Sequence, residues 1–312
     1  MRGGPGIGVR LSTVPALEPP IPPPSLPPAR IVLVPGRGEM FVREQEGPPG
    51  APTILLLHGW TVSADLNWWT AYESLRDVGR VIAVDHRGHG RGIRSEETYT
   101  LEAAADDAAA LLRELGVSSA IVCGYSMGGP ISMLLWHRHP ALVDGLVFEA
   151  TALEWRASRR ERWAWKWMAA VEWFFRSRTS SGAVERWLQR AIRQQPALAS
   201  HRAWFRAELG RGDPRAIADA GRALGTYDAR RLAPTVDVPV AVVVTTKDRL
   251  VRPRKQRALA AATSATVVEL DGDHDVPWMK GPAFGAATRE AVQSVLAAGR
   301  GRAPVRLVAG DG

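Results

Sequence analysis

One strand-to-helix junction constrains the fold of this chain more than any other stretch. An apolar, β-branched run that starts at Ile121 ends in the pattern Gly-x-Ser-x-Gly, centred on Ser126, and passes directly into residues suited to a helix. A serine on such a turn is forced out of the regular backbone, so its Oγ stands clear at the carboxyl end of the strand. A Cβ at Gly124 or Gly128 would crowd the neighbouring strand and helix. The junction therefore predicts an exposed serine held between a strand and a helix.

Apolar runs and helical patterns alternate along most of the chain. The predicted strands are 31–34, 40–42, 53–57, 80–85, 120–124, 145–149, 239–245 and 266–270. The predicted helices are 64–77, 100–115, 127–138, 254–262 and 283–298. This alternation is typical of a parallel sheet with helices on both faces. We therefore predict an α/β fold with a mostly parallel, eight-stranded sheet.

The first partner of the serine lies upstream of it. The buried run 53–57 stops at His58, and Gly59 follows. A loop at this point can aim the backbone N–H of Trp60 at the same place as the N–H of Met127. Two such donors would form an oxyanion hole for a tetrahedral intermediate.

The other two partners are an acid and a histidine. Asp248 follows the buried run 238–244, and His274 follows the run 267–270. The order along the chain is serine, acid, histidine, with each residue at the carboxyl end of its own strand. A base must take the proton of a serine hydroxyl as it attacks, and a carboxylate orients that base and stabilises its charged form. The reaction class that these residue types indicate is acyl transfer to water.

At this point the sequence resembles the α/β-hydrolase superfamily, from about Arg30 to about Ala298. The segment 84–90 is similar to the Asp-x-Arg-Gly-x-Gly turn that is common after the next strand in that family. One departure is visible, because Arg91-Gly92 stands where the family often has a serine soon after the second glycine. The resemblance implies the α/β-hydrolase fold with an inserted helical cap.

Carried over by position, the resemblance implies that Ser126 is the nucleophile, His274 the general base and Asp248 the acid. Glu149 competes for the role of the acid, since some relatives place it after the preceding parallel strand. Asp271, Asp273 and Asp275 are close to His274 in sequence, but neighbours along a loop rarely present side chains to the same ring nitrogen.

The remaining histidines are expected to be structural. His58 is interpreted as a hydrogen-bonding residue near the oxyanion loop. Turn, surface or cap positions are expected for His86, His89, His137, His139 and His201. No pair of them is backed by acids at metal-ligand spacing, so we predict neither a metal nor another cofactor.

Strand signals vanish over 151–233, which resembles the helical cap, or lid, of many α/β-hydrolases. The predicted domains are therefore a core of 30–150 and 234–299 and a cap of 151–233. The cap segment holds seven of the 12 tryptophans, with arginines interleaved: Trp155, Trp163, Trp165, Trp167, Trp173, Trp187 and Trp204.

The tryptophans allow two interpretations. On a helix, Trp163 and Trp167 share one face, and tryptophan with arginine is typical of an interfacial helix that lies in lipid headgroups. The favoured alternative is that these rings pack the cap on the core. Both interpretations give the pocket an apolar roof to which Trp155, Trp163 and Trp167 contribute, and so predict a small-molecule substrate with a hydrophobic acyl or alcohol part.

Composition and the chain ends set further limits. Residues 1–29 are predicted to be a disordered, Pro-rich arm, and 300–312 a loose tail. The net charge of +8 comes without a nucleic-acid-binding signature, so we expect no nucleic acid partner; a basic surface still suits peripheral contact with an anionic membrane. The single cysteine, Cys123, and the lack of a signal-peptide core predict a cytoplasmic protein. The oligomeric state is left open.

The function predicted from the sequence is that of a serine hydrolase that cleaves carboxylic esters, of the carboxylesterase or monoacylglycerol-lipase kind. The same residues could act on a lactone, a thioester or a carbon–carbon bond, or catalyse perhydrolysis, because one fold hosts many chemistries. A further alternative is a non-catalytic binding protein on a hydrolase scaffold. Haloalkane dehalogenases and epoxide hydrolases are disfavoured, because their relatives place an aspartate where Ser126 stands.

Overall fold

The computed structural model describes residues 26–156, 193 and 196–300. Within these residues one sheet of eight strands has the order β1-β2-β4-β3-β5-β6-β7-β8. The strands are β1 Ala29–Val34, β2 Gly38–Gln45, β3 Thr53–Leu57, β4 Arg80–Val84, β5 Ala120–Tyr125, β6 Val143–Glu149, β7 Val240–Thr245 and β8 Thr266–Leu270. β2 is antiparallel to β1 and β4, and all other pairs are parallel. The predicted α/β class and mostly parallel sheet are confirmed.

Both faces of the sheet are buried, which explains why the central strands are continuous apolar runs rather than alternating ones. In β3, Leu55 and Leu57 face one apolar cluster, whereas Ile54 and Leu56 face a second cluster on the opposite side. All four side chains are fully buried. The core therefore consists of two layers, one on each face of the sheet.

Nine α-helices lie in the described part of the chain. They are α1 Ala64–Trp68, α2 Tyr72–Leu75, α3 Leu101–Glu114, α4 Gly128–Arg138, α5 Arg202–Leu209, α6 Pro214–Thr226, α7 Pro253–Ala262, α8 Val276–Met279 and α9 Gly281–Arg300. Four of the predicted helices correspond to α3, α4, α7 and α9, with ends that differ by one or two residues.

The prediction of one helix over 64–77 is wrong, because the segment forms the two short helices α1 and α2. The N–H of Ala71 bonds to the carbonyl of Trp68, three residues back, which closes a tight turn between them. The Thr70 hydroxyl in that turn donates to the carbonyl of Pro277 at 3.0 Å. Docking of the turn against the chain before α9 thus overrides the helical pattern of the sequence.

The chain that follows β6 carries α5 and α6, and Trp155 is buried there. Trp163 and Trp167 lie outside the described residues, and so do 1–25 and 301–312. β1 begins at Ala29, the last residue of the predicted arm, and α9 ends at Arg300, the first residue of the predicted tail. The division into core and cap therefore stays a proposal.

Ionic contacts join α5 to the core. Glu208, on α5, has a fully buried carboxylate that pairs with the guanidinium of Arg91 and accepts a hydrogen bond from the Ser63 hydroxyl at 3.1 Å. Arg91 also reaches Asp65 at 3.5 Å. Arg91, the residue at which this chain departs from the usual family pattern, thus fixes α5 to the core.

Among the residues that the structure describes, no helix combines the length and apolar character that a bilayer crossing requires.

Candidate active site

Ser126 occupies a strained turn between β5 and α4. Its φ is 51°, in the left-handed region that residues with a Cβ rarely adopt. The flanking glycines permit the turn, since a Cβ at Gly124 would lie 2.3 Å from the carbonyl oxygen of Gly128. A Cβ at Gly128 would lie 2.1 Å from the carbonyl oxygen of Leu57. Both contacts are impossible, so the two glycines of the motif are fixed by sterics.

Ser126, His274 and Asp248 form one hydrogen-bonded row. Ser126 Oγ lies 3.0 Å from His274 Nε2, and His274 Nδ1 lies 2.8 Å from Asp248 Oδ2. Because a carboxylate can only accept, Nδ1 carries the ring proton, and Nε2 is left to accept the proton of the serine hydroxyl. This tautomer is the one in which histidine can act as a general base.

The loop after β7 holds the Asp248 carboxylate in place. Oδ1 accepts the backbone N–H groups of Leu250 and Val251 at 2.9 and 2.8 Å. Oδ2 accepts the Thr245 hydroxyl at 2.8 Å and the Gln256 amide at 3.2 Å, in addition to His274. These donors orient the carboxylate toward the ring. Sequence reasoning missed Thr245 and Gln256, although an acid three residues after a strand-end threonine was a visible signal.

Glu149, the competing acid, does not contact the histidine ring. It is fully buried at the end of β6, where Oε2 accepts the hydroxyl of Thr288 at 3.2 Å. Its Oε1 has no hydrogen-bond partner among the described residues. Burial raises the pKa of Glu149 to about 8. The carboxylate in contact with His274 is therefore that of Asp248.

The acids beside His274 in sequence face other partners. Asp273 Oδ1 accepts the backbone N–H groups of His274 and Arg249, at 2.8 and 2.9 Å. Asp271 pairs with Lys247 and Lys280, each at 2.8 Å. For Asp271 and Asp273, the expectation that loop neighbours do not reach the ring agrees with the geometry.

Tyr125, which precedes the serine, was not singled out by sequence reasoning. Its hydroxyl donates to the backbone carbonyl of His274 at 2.7 Å, and the two rings lie 5.5 Å apart. Burial raises the pKa of Tyr125 well above its ordinary value, so the phenol keeps its proton. The contact ties the histidine loop to the serine turn.

The loop after β3 lies directly beside the serine. A Cβ on Gly59 would be 3.4 Å from the Cβ of Ser126. The Gly59 N–H donates to Asn67 Oδ1 at 3.0 Å, and the Gly59 carbonyl accepts His58 Nδ1–H at 2.7 Å. In a trans peptide the N–H points away from the carbonyl, so the bond from His58 also sets the direction of the Trp60 N–H.

Met127 supplies the second predicted donor position. It immediately precedes α4, and the backbone N–H groups at a helix start have no acceptor within the helix. The assignment of the Trp60 and Met127 N–H groups to an oxyanion hole remains a prediction.

His58 belongs to a buried cluster with His86 and His89. The ring centroids of His58 and His86 are 4.2 Å apart, and those of His58 and His89 are 5.6 Å apart. His58 Nε2 accepts the backbone N–H of His86 at 3.0 Å, so both ring nitrogens of His58 bond to the backbone. Burial lowers the pKa of His58 well below its ordinary value, that of His86 to about 3 and that of His89 to about 4. The three lowered pKa values indicate that the cluster is neutral and has a structural role.

Within the described ranges, no group of three His, Cys, Asp or Glu side chains is placed to hold a metal ion.

The comparison with known families decides the superfamily. The family pattern described as alpha/beta hydrolase fold matches residues 52–280, which include all three members of the hydrogen-bonded row. The chain belongs to the α/β-hydrolase fold family.

Several of the curated proteins that resemble this chain are named as esterases. A pimeloyl-[acyl-carrier protein] methyl ester esterase from Neisseria meningitidis is 28% identical over 268 residues, which cover 83% of this chain and 84% of that protein. A bifunctional esterase/perhydrolase from Acinetobacter calcoaceticus is 41% identical over 85 residues. That match covers 27% of this chain and 30% of the relative, so the matched region spans less than a third of the length of the Acinetobacter protein.

Solved α/β-hydrolase structures show the same fold. An enol-lactonase from Burkholderia xenovorans superposes with a TM-score of 0.72 at 25% identity, over 85% of this chain and 100% of that one. An esterase from Thermogutta terrifontis has a TM-score of 0.70 at 24% identity, over 86% of this chain and 99% of its own. Together with the family match, these structures show that the chain has the α/β-hydrolase fold.

Proposed function

We propose that this chain is a serine hydrolase that cleaves carboxylic esters through an acyl-enzyme on Ser126. The observation that carries the proposal is the row from Ser126 through His274 to Asp248, with contacts of 3.0 and 2.8 Å. The strained backbone of Ser126 is a second support, because it holds the hydroxyl clear of the regular chain.

The proposed reaction has two halves. Ser126 Oγ attacks the carbonyl carbon of the ester while its proton passes to His274 Nε2. The N–H groups of Trp60 and Met127 stabilise the resulting oxyanion, and Asp248 stabilises the imidazolium. The tetrahedral intermediate collapses, and the alcohol leaves with the proton from Nε2. Water then attacks the acyl-enzyme by the same route, which releases the acid and restores the Ser126 hydroxyl.

The proposed substrate is a small ester with a hydrophobic acyl or alcohol part. Met127 follows the serine and lies in the apolar layer on which α6 packs, and Trp60 packs against the same layer. Trp155 is buried in the same layer. An ester that binds here would meet apolar surface on the side of α6. The long match to methyl ester esterases supports an ester rather than another acyl compound.

A second candidate is the same chemistry on another bond. The relative named as an esterase/perhydrolase and the structural neighbour named as an enol-lactonase favour perhydrolysis and lactone hydrolysis as the first alternatives. Thioester or carbon–carbon cleavage would use the same row of residues. In perhydrolysis, peroxide would replace water in the second half of the reaction.

One substrate panel separates these candidates. We would measure turnover of p-nitrophenyl esters from acetate to palmitate, of γ- and δ-lactones, and of acetate with hydrogen peroxide. Fast ester turnover with an optimum of acyl length supports the proposal. Turnover confined to lactones or to peroxide assigns the second candidate. Absence of turnover together with absence of fluorophosphonate labelling would indicate a non-catalytic binding protein.

We also propose that residues 151–233 form a cap over this site and that the chain is cytoplasmic. The test of membrane contact uses Trp163 and Trp167, both replaced by alanine. If they pack the cap on the core, as we expect, thermal stability and short-ester turnover fall together, since a truncated buried aromatic costs about 3–5 kcal/mol. Lost binding to anionic vesicles at unchanged stability would instead indicate an interfacial lid.

A further inference from the structure

The side chain of Trp60 connects the loop beside the serine to α6. Its indole Nε1–H donates to the backbone carbonyl of Ile217 at 2.7 Å, although the two residues are 157 positions apart. A carbonyl oxygen has two lone pairs, so Ile217 can accept the indole in addition to its helical bond. The residue whose N–H is the proposed oxyanion donor is therefore fastened by its side chain to a helix of the proposed cap.

Gly221, one turn further along α6, lies against the indole ring. A Cβ at this position would lie 2.6 Å from Trp60 Cζ2 and 3.2 Å from Cε2. Glycine in a helix interior weakens the helix, so its presence in the middle of α6 requires a reason. The close approach of the Trp60 ring supplies that reason.

The loop is also fastened to the core on its other side. Asn67, on α1, accepts the Gly59 N–H at 3.0 Å, and His58 donates to the Gly59 carbonyl at 2.7 Å. The peptide unit that carries the Trp60 N–H thus has one end held by core residues. The side chain that follows is held by α6.

We infer that α6 positions the oxyanion hole through Trp60, so that the hole is complete only while α6 is seated on the core. The inference rests on the proposed function, because it assigns a role to the Trp60 N–H in ester hydrolysis. The Trp60 indole, the Ile217 carbonyl and Gly221 are positioning groups. A displacement of α6 from the core would therefore move the Trp60 donor out of line and stop hydrolysis.

The link can be broken without detaching α6. The Asp213 N–H, just before α6, donates to the Gly88 carbonyl at 2.7 Å. Arg94 donates to the Arg211 carbonyl at 2.8 Å, and the Glu208 contacts hold the preceding helix. These contacts remain in variants of Trp60 or Gly221, so such variants test the link and not the attachment of the helix.

Two variants with matched controls test the inference. Trp60→Phe keeps an aromatic ring and loses the indole N–H donor. Its control is Trp136→Phe, which loses a hydrogen bond of 3.1 Å from the Trp136 indole to Asp237, in another part of the fold. Gly221→Ala drives a Cβ into the indole; its control is Gly210→Ala, where the nearest atom to the new Cβ is 3.4 Å away.

The measurements are kcat and KM for p-nitrophenyl butyrate, inhibition by an alkyl boronic acid that forms a tetrahedral adduct with the serine, and melting temperature. Misplacing one oxyanion donor should lower kcat by about tenfold or more. This decrease should be smaller than the roughly 10²–10³-fold decrease that follows the complete removal of a donor. Boronate affinity should fall by a similar factor, while KM and the melting temperature stay close to wild type. The two controls should match wild type throughout. Unchanged kcat in both test variants, or an equal decline in the controls, would overturn the inference.

Hydrogen–deuterium exchange separates this inference from the proposed function. In both test variants the amides of 59–61 should exchange faster than in wild type and in the controls, whether or not the chain hydrolyses esters. Faster exchange in a chain without esterase activity would refute the proposed function and leave the link intact. Unchanged exchange in an active esterase would refute the link alone.

Discussion

Asp248 Oδ2 accepts the Nδ1–H of His274 at 2.8 Å, whereas the other candidate acid, Glu149, is bonded to Thr288 on α9. Two carboxyl groups at the same edge of the sheet therefore have different environments. The first is surrounded by hydrogen-bond donors, and the second is enclosed in the apolar layer with one oxygen that lacks a partner among the described residues. This contrast leads to two predictions.

The first prediction concerns rate. Asp248→Asn keeps the shape of the side chain but replaces one acceptor oxygen by an amide, so the histidine loses its orientation. We expect kcat to fall by about 10⁴-fold, by analogy with other triads that lose their acid. Glu149→Gln should stay within a few fold of wild type. Steady-state kinetics on one soluble ester checks both, and the reverse ranking would assign the acid to Glu149.

The second prediction concerns pH and stability. Burial raises the pKa of Glu149 from 4.5 to about 8, so between these pH values the folded chain binds a proton that the unfolded chain has lost. Stability from this group is fully present below about pH 4.5 and declines as pH rises toward 8. Wild type should therefore lose stability relative to Glu149→Gln between pH 5 and pH 9. Urea unfolding of both proteins across that range is the measurement, and parallel profiles would show that Glu149 is ionised in the fold.

The histidine cluster gives a third prediction, of opposite sign. The pKa of His86 is lowered by burial to about 3 and that of His89 to about 4, so below pH 6.5 the unfolded chain binds more protons than the folded one. Stability should fall as pH decreases from about 6.5. His89→Asn keeps a donor where His89 Nδ1 bonds to the Arg87 carbonyl at 3.0 Å and does not titrate. Its unfolding should be less acid-sensitive than that of wild type, and an identical acid profile would contradict the buried neutral state.

The fourth prediction tests the anchor of α5. Arg91→Met removes the guanidinium from the buried Glu208 carboxylate, which keeps its contacts with Ser63 and Arg211. Breaking a buried ion pair typically lowers the free energy of unfolding by about 3–5 kcal/mol. Because Glu208 keeps two partners, we expect a loss near the lower end of that range. The double variant Arg91→Met with Glu208→Gln should recover part of that loss. Chemical unfolding measures both, and a fully additive result would show that the two side chains do not interact in solution.

Much of this fold could be predicted because the strands are continuous apolar runs that end in recognisable polar residues. The junction around Ser126 could be recognised from its local pattern, although one of its glycines, Gly128, is required by the Leu57 carbonyl of the neighbouring strand β3. The order of the residues and their places after strands carried the family resemblance that implied the pairing of His274 with Asp248, although the sequence left Glu149 as an alternative acid.

What the sequence did not reveal depends on contacts between distant segments. The break between α1 and α2 depends on Thr70 meeting Pro277, and the helical pattern of 64–77 gives no sign of it. Arg91 was visible as a departure, but its partner Glu208 is 117 residues away. The role of Trp60 as a link to Ile217 has no local signal at all, apart from an unexplained glycine in the middle of α6.

The most direct test of the central claim is the behaviour of Ser126→Ala. Intact-mass spectrometry after treatment with a fluorophosphonate, together with turnover of the best p-nitrophenyl ester, compares it with wild type. We predict one covalent adduct per wild-type chain, located on the peptide with Ser126, and no adduct on the variant. Ester turnover by the variant should be lower by orders of magnitude. The activity that remains would come from the oxyanion donors and from substrate binding alone. A variant that keeps a tenth of the wild-type activity, or that still takes up the label, would contradict the account.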